Sequence, residues 1–241
     1  MNDPKDTILV ALDVETRDAA LTLADSLRGS VGGFKIGSRL FTSEGPSIVR
    51  ALTDQGDRVF LDLKYHDIPN TVAQAVAAAS QFGVWMLNVH AVGGTAMMQA
   101  ARDAAQDSAA KAGKRAPLVI AVTVLTSMNQ KALKDTGVVI DLMDQVLRLA
   151  ELSKEAGLDG VVASPRETAS IRHRCGQEFQ IVTPGIRAAD AAKDDQERTM
   201  SPGEALAAGA SYLVVGRPII GAPDPVQAAA NIANSLARPK A

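Results

Sequence analysis

Short apolar segments alternate with longer, alanine-rich amphipathic segments along the chain. The apolar segments are rich in β-branched residues and mostly lack a polar face, which is typical of parallel strands covered by helices. The longer segments place their apolar residues at helical spacing. We predict strands at residues 7–13, 33–37, 58–64, 86–90, 118–125, 160–164, 180–184 and 212–216. We predict helices at about 17–28, 45–55, 71–82, 94–112, 140–156, 165–174, 202–208 and 224–236.

Eight strands that are each followed by a helix predict an α/β fold, a (β/α)₈ TIM barrel, as a single domain over residues 1–241. A doubly wound sheet is the alternative, but the first strand ends in ALDVET without the G-x-G-x-x-G of dinucleotide-binding folds. Two connections, about 126–139 and 187–200, are longer than the fold requires. Long loops at the carboxyl end of a barrel are often functional lids.

Composition excludes several classes of partner. The net charge of −2 and the aromatic content of 3% provide neither a basic surface nor stacking platforms, so we expect no nucleic acid partner. The polar start MNDPKDTILVALD does not resemble a signal peptide, and no apolar run is long enough for a membrane span. We therefore expect a cytoplasmic protein. The single cysteine, Cys175, cannot form an internal disulfide or a cysteine-rich metal site.

The strand-like stretch FLDLKYHDIP carries charges where a barrel interior is expected. Side chains of a strand alternate, so Asp62 and Lys64 should project to one side while Leu61 and Leu63 project to the other. The leucines suit the helix-covered outside, which directs the charges into the barrel mouth. Because unpaired charges there are unfavourable, we expect a mutually compensating array that includes Lys35 on the neighbouring strand. The alternative is an ion-pair network without chemistry.

Polar residues also follow the last two predicted strands. TPGIR contains Arg187, and VVGRPI contains Gly216 and Arg217. These are the two loops where barrels of this class often bind phosphate. Forked guanidinium groups suit phosphate oxygens, and Gln196 in the long seventh loop is a candidate to close over the same group. Either arginine alone is more typical of a surface charge, but the pair predicts a phosphorylated substrate.

Eight segments together carry a resemblance to a known family: ALD, FKIG, FLDLKYHDIPNTV, NVHA, LTS, TPGIR, DDQER and YLVVGRPI. Their order and spacing, from about residue 8 to about residue 236, resemble those of bacterial orotidine 5′-monophosphate decarboxylases. The most specific element is DLKYHDIPNT combined with the upstream lysine. The resemblance implies decarboxylation of orotidine 5′-monophosphate to UMP and CO₂, the last step of de novo pyrimidine synthesis. It also implies a homodimer that uses neither a metal nor an organic cofactor.

The resemblance further implies roles for individual residues. Lys35, Asp62, Lys64 and Asp67 match an alternating Lys–Asp–Lys–Asp array, in which Lys64 protonates C6 and the partner subunit contributes Asp67. Thr71 is implied to reach across the same interface to the ribose. The other implied contacts are Asp13 and Lys35 with ribose hydroxyls, Thr126 and Ser127 with the pyrimidine, and Arg187, Gln196, Gly216 and Arg217 with the phosphate.

Two other functions remain open at this point. A related phosphate-binding barrel that decarboxylates or condenses a sugar phosphate with Mg²⁺ would also use carboxylates and a lysine on the third strand. Lys35 and the segment DIPNT favour the nucleotide substrate. A non-catalytic nucleotide-binding barrel would keep the two arginines, but it would not need Lys64 between two aspartates.

Overall fold

The computed structural model of the protein describes residues 3–186 and 200–237, and its centre is a closed barrel of parallel strands. Each strand pairs with the next one along the chain, and the last strand pairs with the first. The strands are β1 Ile8–Ala11, β2 Gly33–Gly37, β3 Val59–Tyr65, β4 Met86–His90, β5 Leu118–Val122, β6 Gly160–Val162, β7 Gln180–Thr183 and β8 Tyr212–Val215. The predicted (β/α)₈ fold class is confirmed.

Helices connect successive strands. The α-helices are α1 Arg17–Leu27, α2 Ser38–Glu44, α3 Pro46–Thr53, α4 Pro69–Ser80, α5 Gly94–Ala112, α6 Gln130–Asp135, α7 Leu142–Glu155, α8 Thr168–Cys175, α9 Pro202–Ala207, α10 Arg217–Ile220 and α11 Pro225–Ala237. Short 3-10 helices occur at Pro4–Thr7 and Ala91–Gly93. Among the described helices, none has both the length and the apolar character that a membrane span requires.

Three short helices lie in segments where the sequence pattern predicts loops: α2, α6 and α10. Each has seven residues or fewer, which is too short for apolar periodicity to reveal. Helix α6 begins where the side chain of Asn129 accepts a hydrogen bond from the backbone N–H of Ala132. The long fifth loop is therefore partly helical, whereas almost all of the seventh loop lies outside the described residues.

Side chains of the strands divide into an inner and an outer set. Ile8 and Val10 of β1 belong to the large core that packs against the helices. The alternate residues Leu9 and Ala11 belong to a separate cluster formed by strand residues. This inner cluster fills the barrel with Leu9, Ala11, Phe60, Met86, Ile120, Val122, Val162, Val182 and Val214. The interior is thus packed below the level of the mouth, as expected for the fold.

Aromatic residues and an arginine occupy the amino end of the barrel. The Arg58 guanidinium lies 3.7 Å from the ring centre of Trp85 and 5.5 Å from that of Tyr212. It also donates a hydrogen bond of 3.3 Å to the Tyr212 hydroxyl. The rings of Trp85 and Tyr212 meet edge to face at 5.0 Å. This cluster therefore lies opposite the carboxyl ends of the strands.

Candidate active site

A cavity of about 510 Å³ opens at the carboxyl end of the barrel. This is the end at which barrels of this fold carry their active sites. Apolar side chains of the inner cluster, including Phe60 and Val122, form part of its lining. Its polar lining residues are Asp13, Lys35, Asp62, Lys64, Thr126, Ser127 and Arg217.

Four charged side chains of alternating sign meet in this cavity and are called the charged row. They are Asp13, Lys35, Asp62 and Lys64. Lys35 Nζ lies 3.1 Å from Asp13 Oδ1 and 3.7 Å from Asp62 Oδ2. Lys64 Nζ lies 2.6 Å from Asp62 Oδ1. Lys35 is only 7% exposed, so its ammonium group depends on these carboxylates for compensation. The structure therefore brings Asp13, Lys35, Asp62 and Lys64 together, and their catalytic roles stay predictions.

The strand β3 is irregular where it carries these charges. Its pairing with β4 runs Phe60↔Met86 and Leu61↔Leu87 and resumes only at Tyr65↔Val89. Three residues of β3 therefore face one residue of β4, which is a bulge. Lys64 lies within it at φ 55, the one positive φ outside glycine in the described chain. Such a backbone costs about 1–2 kcal/mol for an L-residue and is often found at functional sites.

Asn88 of β4 is the site residue that sequence reasoning missed. Its Oδ1 accepts a 2.8 Å hydrogen bond from the backbone N–H of Lys64. Its Nδ2 donates a 2.7 Å hydrogen bond to Asp62 Oδ1. Asn88 is completely buried. The signal in the sequence was a lone amide inside the apolar strand MLNVH, because a buried polar side chain requires partners.

Gly37, at the end of β2, leaves room for the Lys35 ammonium group. A Cβ atom at this position would lie 2.8 Å from Lys35 Nζ and 3.7 Å from Asp13 Oδ1. The first distance is shorter than real Cβ contacts allow, so the ammonium group would have to move. The absence of a side chain at position 37 is therefore part of the geometry of the charged row.

The predicted phosphate and pyrimidine residues are only partly described. Thr126 and Ser127 line the cavity after β5, and Gly216 and Arg217 line it after β8. Pro184 and Gly185, which follow β7, line the same region. The end of β8 adjoins β1, which carries Asp13 just beyond its end. The predicted residues Arg187 and Gln196 lie outside the described residues.

Asp67 and Thr71 stand apart from the charged row. Both are exposed, and neither is among the described residues that line the cavity. Asp67 precedes α4, and its Oδ1 accepts a hydrogen bond from the backbone N–H of Ile68. A single chain thus assembles three members of the predicted Lys–Asp–Lys–Asp array and leaves the fourth at its surface.

His90, at the end of β4, lies close to the charged row. Burial lowers its pKa below the ordinary 6.5, and the neighbouring His66 and Lys64 lower it further, whereas Asp62 opposes the shift. Its ring centre is 5.6 Å from that of His66. This shift favours the neutral form of the imidazole at pH 7.

Both carboxylates among the described residues that line the cavity contact lysine. Asp13 and Asp62 each lie within 4 Å of an ammonium group. Within residues 3–186 and 200–237, no cluster of three or more His, Cys, Asp or Glu side chains is arranged to hold a metal ion.

Comparison with known proteins gives consistent matches over nearly the whole chain. The family model described as "Orotidine 5'-phosphate decarboxylase / HUMPS family" matches residues 6–232. A protein named orotidine 5'-phosphate decarboxylase from Moorella thermoacetica is 55% identical over 233 residues, covering 96% of this chain and 92% of that protein. Its namesake from Saccharophagus degradans is 50% identical, covering 99% and 98%. The crystal structure of orotidine 5'-phosphate decarboxylase from Lactobacillus acidophilus has a TM-score of 0.86 at 36% identity, covering 96% of this chain and 99% of that one.

Proposed function

Because the chain belongs to the orotidine 5'-phosphate decarboxylase / HUMPS family, we propose that it converts orotidine 5′-monophosphate to UMP and CO₂. This reaction is the last step of de novo pyrimidine synthesis. The observation that carries the proposal is the alternating row of Lys35, Asp62 and Lys64 in the cavity at the barrel mouth. We propose that this chemistry uses neither a metal nor an organic cofactor.

Lys64 is the proton donor in the proposed reaction. Loss of CO₂ from C6 of the pyrimidine leaves an electron pair that no cofactor delocalises. An ammonium group next to C6 stabilises the developing negative charge and then protonates the carbon. Lys64 Nζ suits this role because it lies at the cavity while Asp62 compensates its charge.

Asp62 adds a repulsive contribution in the substrate complex. Its carboxylate would face the carboxylate of the substrate, and two such charges about 4 Å apart repel by roughly 4 kcal/mol at an effective dielectric constant of 20. Departure of CO₂ removes this repulsion. A gain of roughly 4 kcal/mol corresponds to about three decades in rate, which is small against the acceleration that slow reactions require. Stabilisation of the carbanion by Lys64 must therefore contribute more.

The phosphate of the substrate is proposed to lie at the carboxyl ends of β7 and β8. Support comes from Arg217, Gly216 and Gly185, which line this part of the cavity. A guanidinium group offers paired donors to phosphate oxygens, and backbone N–H groups at glycine allow close approach. We propose that Arg187 and Gln196 complete this site. Binding energy from a remote phosphate can then be used to organise the reacting end.

The nucleoside is proposed to lie between the phosphate site and the charged row. Asp13 and Lys35, which contact one another at 3.1 Å, would bind the ribose hydroxyls. Thr126 and Ser127, which line the cavity after β5, would contact the pyrimidine ring. This order places C6 next to Lys64 when the phosphate is held near Arg217.

We propose that the active unit is a homodimer in which Asp67 and Thr71 of each chain act in the site of the partner. Both side chains are exposed and neither is among the described residues that line the cavity of their own chain, which supports this arrangement. The loops after β3, β4 and β5 also carry exposed apolar side chains, here called the apolar rim. The apolar rim consists of Ile68, Val92, Leu125, Val139 and Ile140.

The test of this function is turnover by the purified protein in the presence of EDTA. We expect the absorbance of orotidine 5′-monophosphate to fall and UMP and CO₂ to appear in equal amounts. Sugar-phosphate chemistry that requires Mg²⁺, without turnover of the nucleotide, would instead support the Mg²⁺-dependent phosphate-binding barrel considered from the sequence. Tight binding of UMP without any release of CO₂ would support a non-catalytic nucleotide-binding protein.

A further inference from the structure

The bulge in β3 leaves the backbone N–H of Lys64 without a regular acceptor on the backbone of β4. Between the pairs Leu61↔Leu87 and Tyr65↔Val89, the ladder has no regular register. The backbone N–H of Lys64, in its left-handed conformation, instead donates to a side chain, the Oδ1 of Asn88 at 2.8 Å. One amide side chain thus takes the place of a backbone acceptor.

The side chain of Asn88 also holds the Asp62 carboxylate of the charged row. Asn88 Nδ2 donates to Asp62 Oδ1 at 2.7 Å, on the oxygen that also accepts from Lys64 Nζ at 2.6 Å. The other oxygen of Asp62 faces Lys35 Nζ at 3.7 Å. Asn88 is completely buried and is not among the described residues that line the cavity. It therefore acts on the site through Asp62 and Lys64.

We propose that Asn88 is a positioning residue for the decarboxylation, an inference that rests on the proposed function. During the reaction Lys64 Nζ must turn from Asp62 toward C6, which removes one hydrogen bond from Asp62 Oδ1. The Asn88 amide keeps its own hydrogen bond to that oxygen and so holds the carboxylate in place. Its carbonyl oxygen simultaneously holds the Lys64 backbone in the bulged conformation that presents the ammonium group to the cavity.

Only an amide at position 88 satisfies both partners. An aspartate would retain an acceptor for the Lys64 N–H, but it would place a second carboxylate against Asp62. A serine is too short to span both groups at the observed distances. An alanine leaves the Lys64 N–H and the Asp62 carboxylate without this partner, and a buried polar group that loses its partner is destabilised.

The experiment compares Asn88→Ala, Asn88→Asp and Asn88→Ser with the unaltered protein. The matched control is Ser153→Ala, because Ser153 is also completely buried but its hydroxyl donates to Leu149 within α7, on the outside of the barrel. The measurements are kcat for orotidine 5′-monophosphate, Kd for UMP, and hydrogen exchange of the Lys64 amide with the Ile120 amide as an internal reference.

We expect kcat to fall by about 100-fold in each Asn88 variant, because small misplacements of reacting groups have effects of this size. The Kd for UMP should stay within about threefold, because Asn88 supports the reacting groups and not ground-state binding. Exchange of the Lys64 amide should accelerate about tenfold in Asn88→Ala but not in Asn88→Asp, with Ile120 unchanged. The control should behave as the unaltered protein does.

An unchanged kcat in folded Asn88 variants would overturn the proposal. So would equal losses of kcat, UMP affinity and Ile120 protection, because those are the signs of a purely structural role. If the unaltered protein fails to decarboxylate the nucleotide, the proposed function fails. In that case the exchange of the Lys64 amide still tests whether Asn88 holds the bulge, and unaltered exchange in Asn88→Ala refutes it.

Discussion

Gly37 limits how the Lys35 ammonium group can lie in the charged row. We predict that Gly37→Ala lowers kcat/KM by about tenfold, because the new Cβ would approach Lys35 Nζ to 2.8 Å and displace it. The protein should remain folded, since only the end of a flexible side chain has to move. Gly203→Ala is the control, because a Cβ atom there meets nothing within 4 Å. Equal activity of both variants in steady-state assays would contradict this role for Gly37.

Arg217 is the described arginine of the proposed phosphate site. We predict that Arg217→Ala lowers kcat/KM for orotidine 5′-monophosphate by about 100-fold, because charge-assisted hydrogen bonds to the phosphate are lost. The kcat/KM for orotidine, which has no phosphate, should change little. Comparison of kcat/KM for the two substrates checks the assignment. Proportional losses on both would show that Arg217 does not act through the phosphate.

Sequence alone predicted the charged residues of the site but not all of the groups that hold them. Lys35, Asp62 and Lys64 stood out because charges in buried strands require partners. Asn88 did not, because its role depends on a bulge that exists only when β3 and β4 pair. The left-handed backbone at Lys64 was not predicted either, because that conformation is usually indicated by a glycine and this position carries a lysine.

At the scale of secondary structure elements, the eight strands and eight of the helices followed from the hydrophobic pattern. Strands buried on both faces and helices with one apolar face have distinct periodicities, so their positions were predicted within a few residues. The short helices α2, α6 and α10 were missed because they contain too few turns to show a period. Their formation depends on local capping, as at Asn129, and on packing in the barrel.

Arg172 connects α8 to the segments that precede β7 and β8. Its guanidinium donates to the backbone carbonyls of Gly176, Phe179 and Gly209. We predict that Arg172→Ala lowers the free energy of unfolding by about 2 kcal/mol, because these carbonyls lose a charged donor. Chemical denaturation followed by circular dichroism measures the change.

The matched control for this prediction is Arg174→Ala on the same helix. Arg174 makes an exposed ion pair with Glu151, and such pairs contribute less than about 1 kcal/mol. The same loss of stability in both variants would indicate a general effect of removing a cation from α8. It would contradict the specific role of Arg172.

At the scale of the whole molecule, the closed barrel of this chain is similar to the solved structure of a protein named as a member of the same family. The motif resemblance noted in the sequence is confirmed by the family match over residues 6–232. Assembly is a different matter, because a dimer interface leaves a weaker pattern in a sequence than a buried strand does. The exposed positions of Asp67 and Thr71 and the apolar rim make assembly testable.

Hybrid dimers test whether Asp67 acts in the site of the partner. We predict that Lys64→Ala and Asp67→Ala proteins, each inactive alone, regain activity when they are unfolded together and refolded as a mixture. A hybrid dimer has one site with both residues intact, so random pairing should restore about a quarter of full activity. Native mass spectrometry verifies that hybrids have formed. Hybrids without activity would argue that Asp67 acts within its own chain or not at all.

In the proposed mechanism, an ammonium group that carboxylates hold at the barrel mouth protonates the carbon that loses CO₂. The most direct measurement is turnover of orotidine 5′-monophosphate by Lys64→Ala, together with its affinity for UMP. We predict that kcat falls by about 1,000-fold or more, because stabiliser and proton donor are lost together, while UMP still binds. A variant that retains about a tenth of the original turnover would contradict the account.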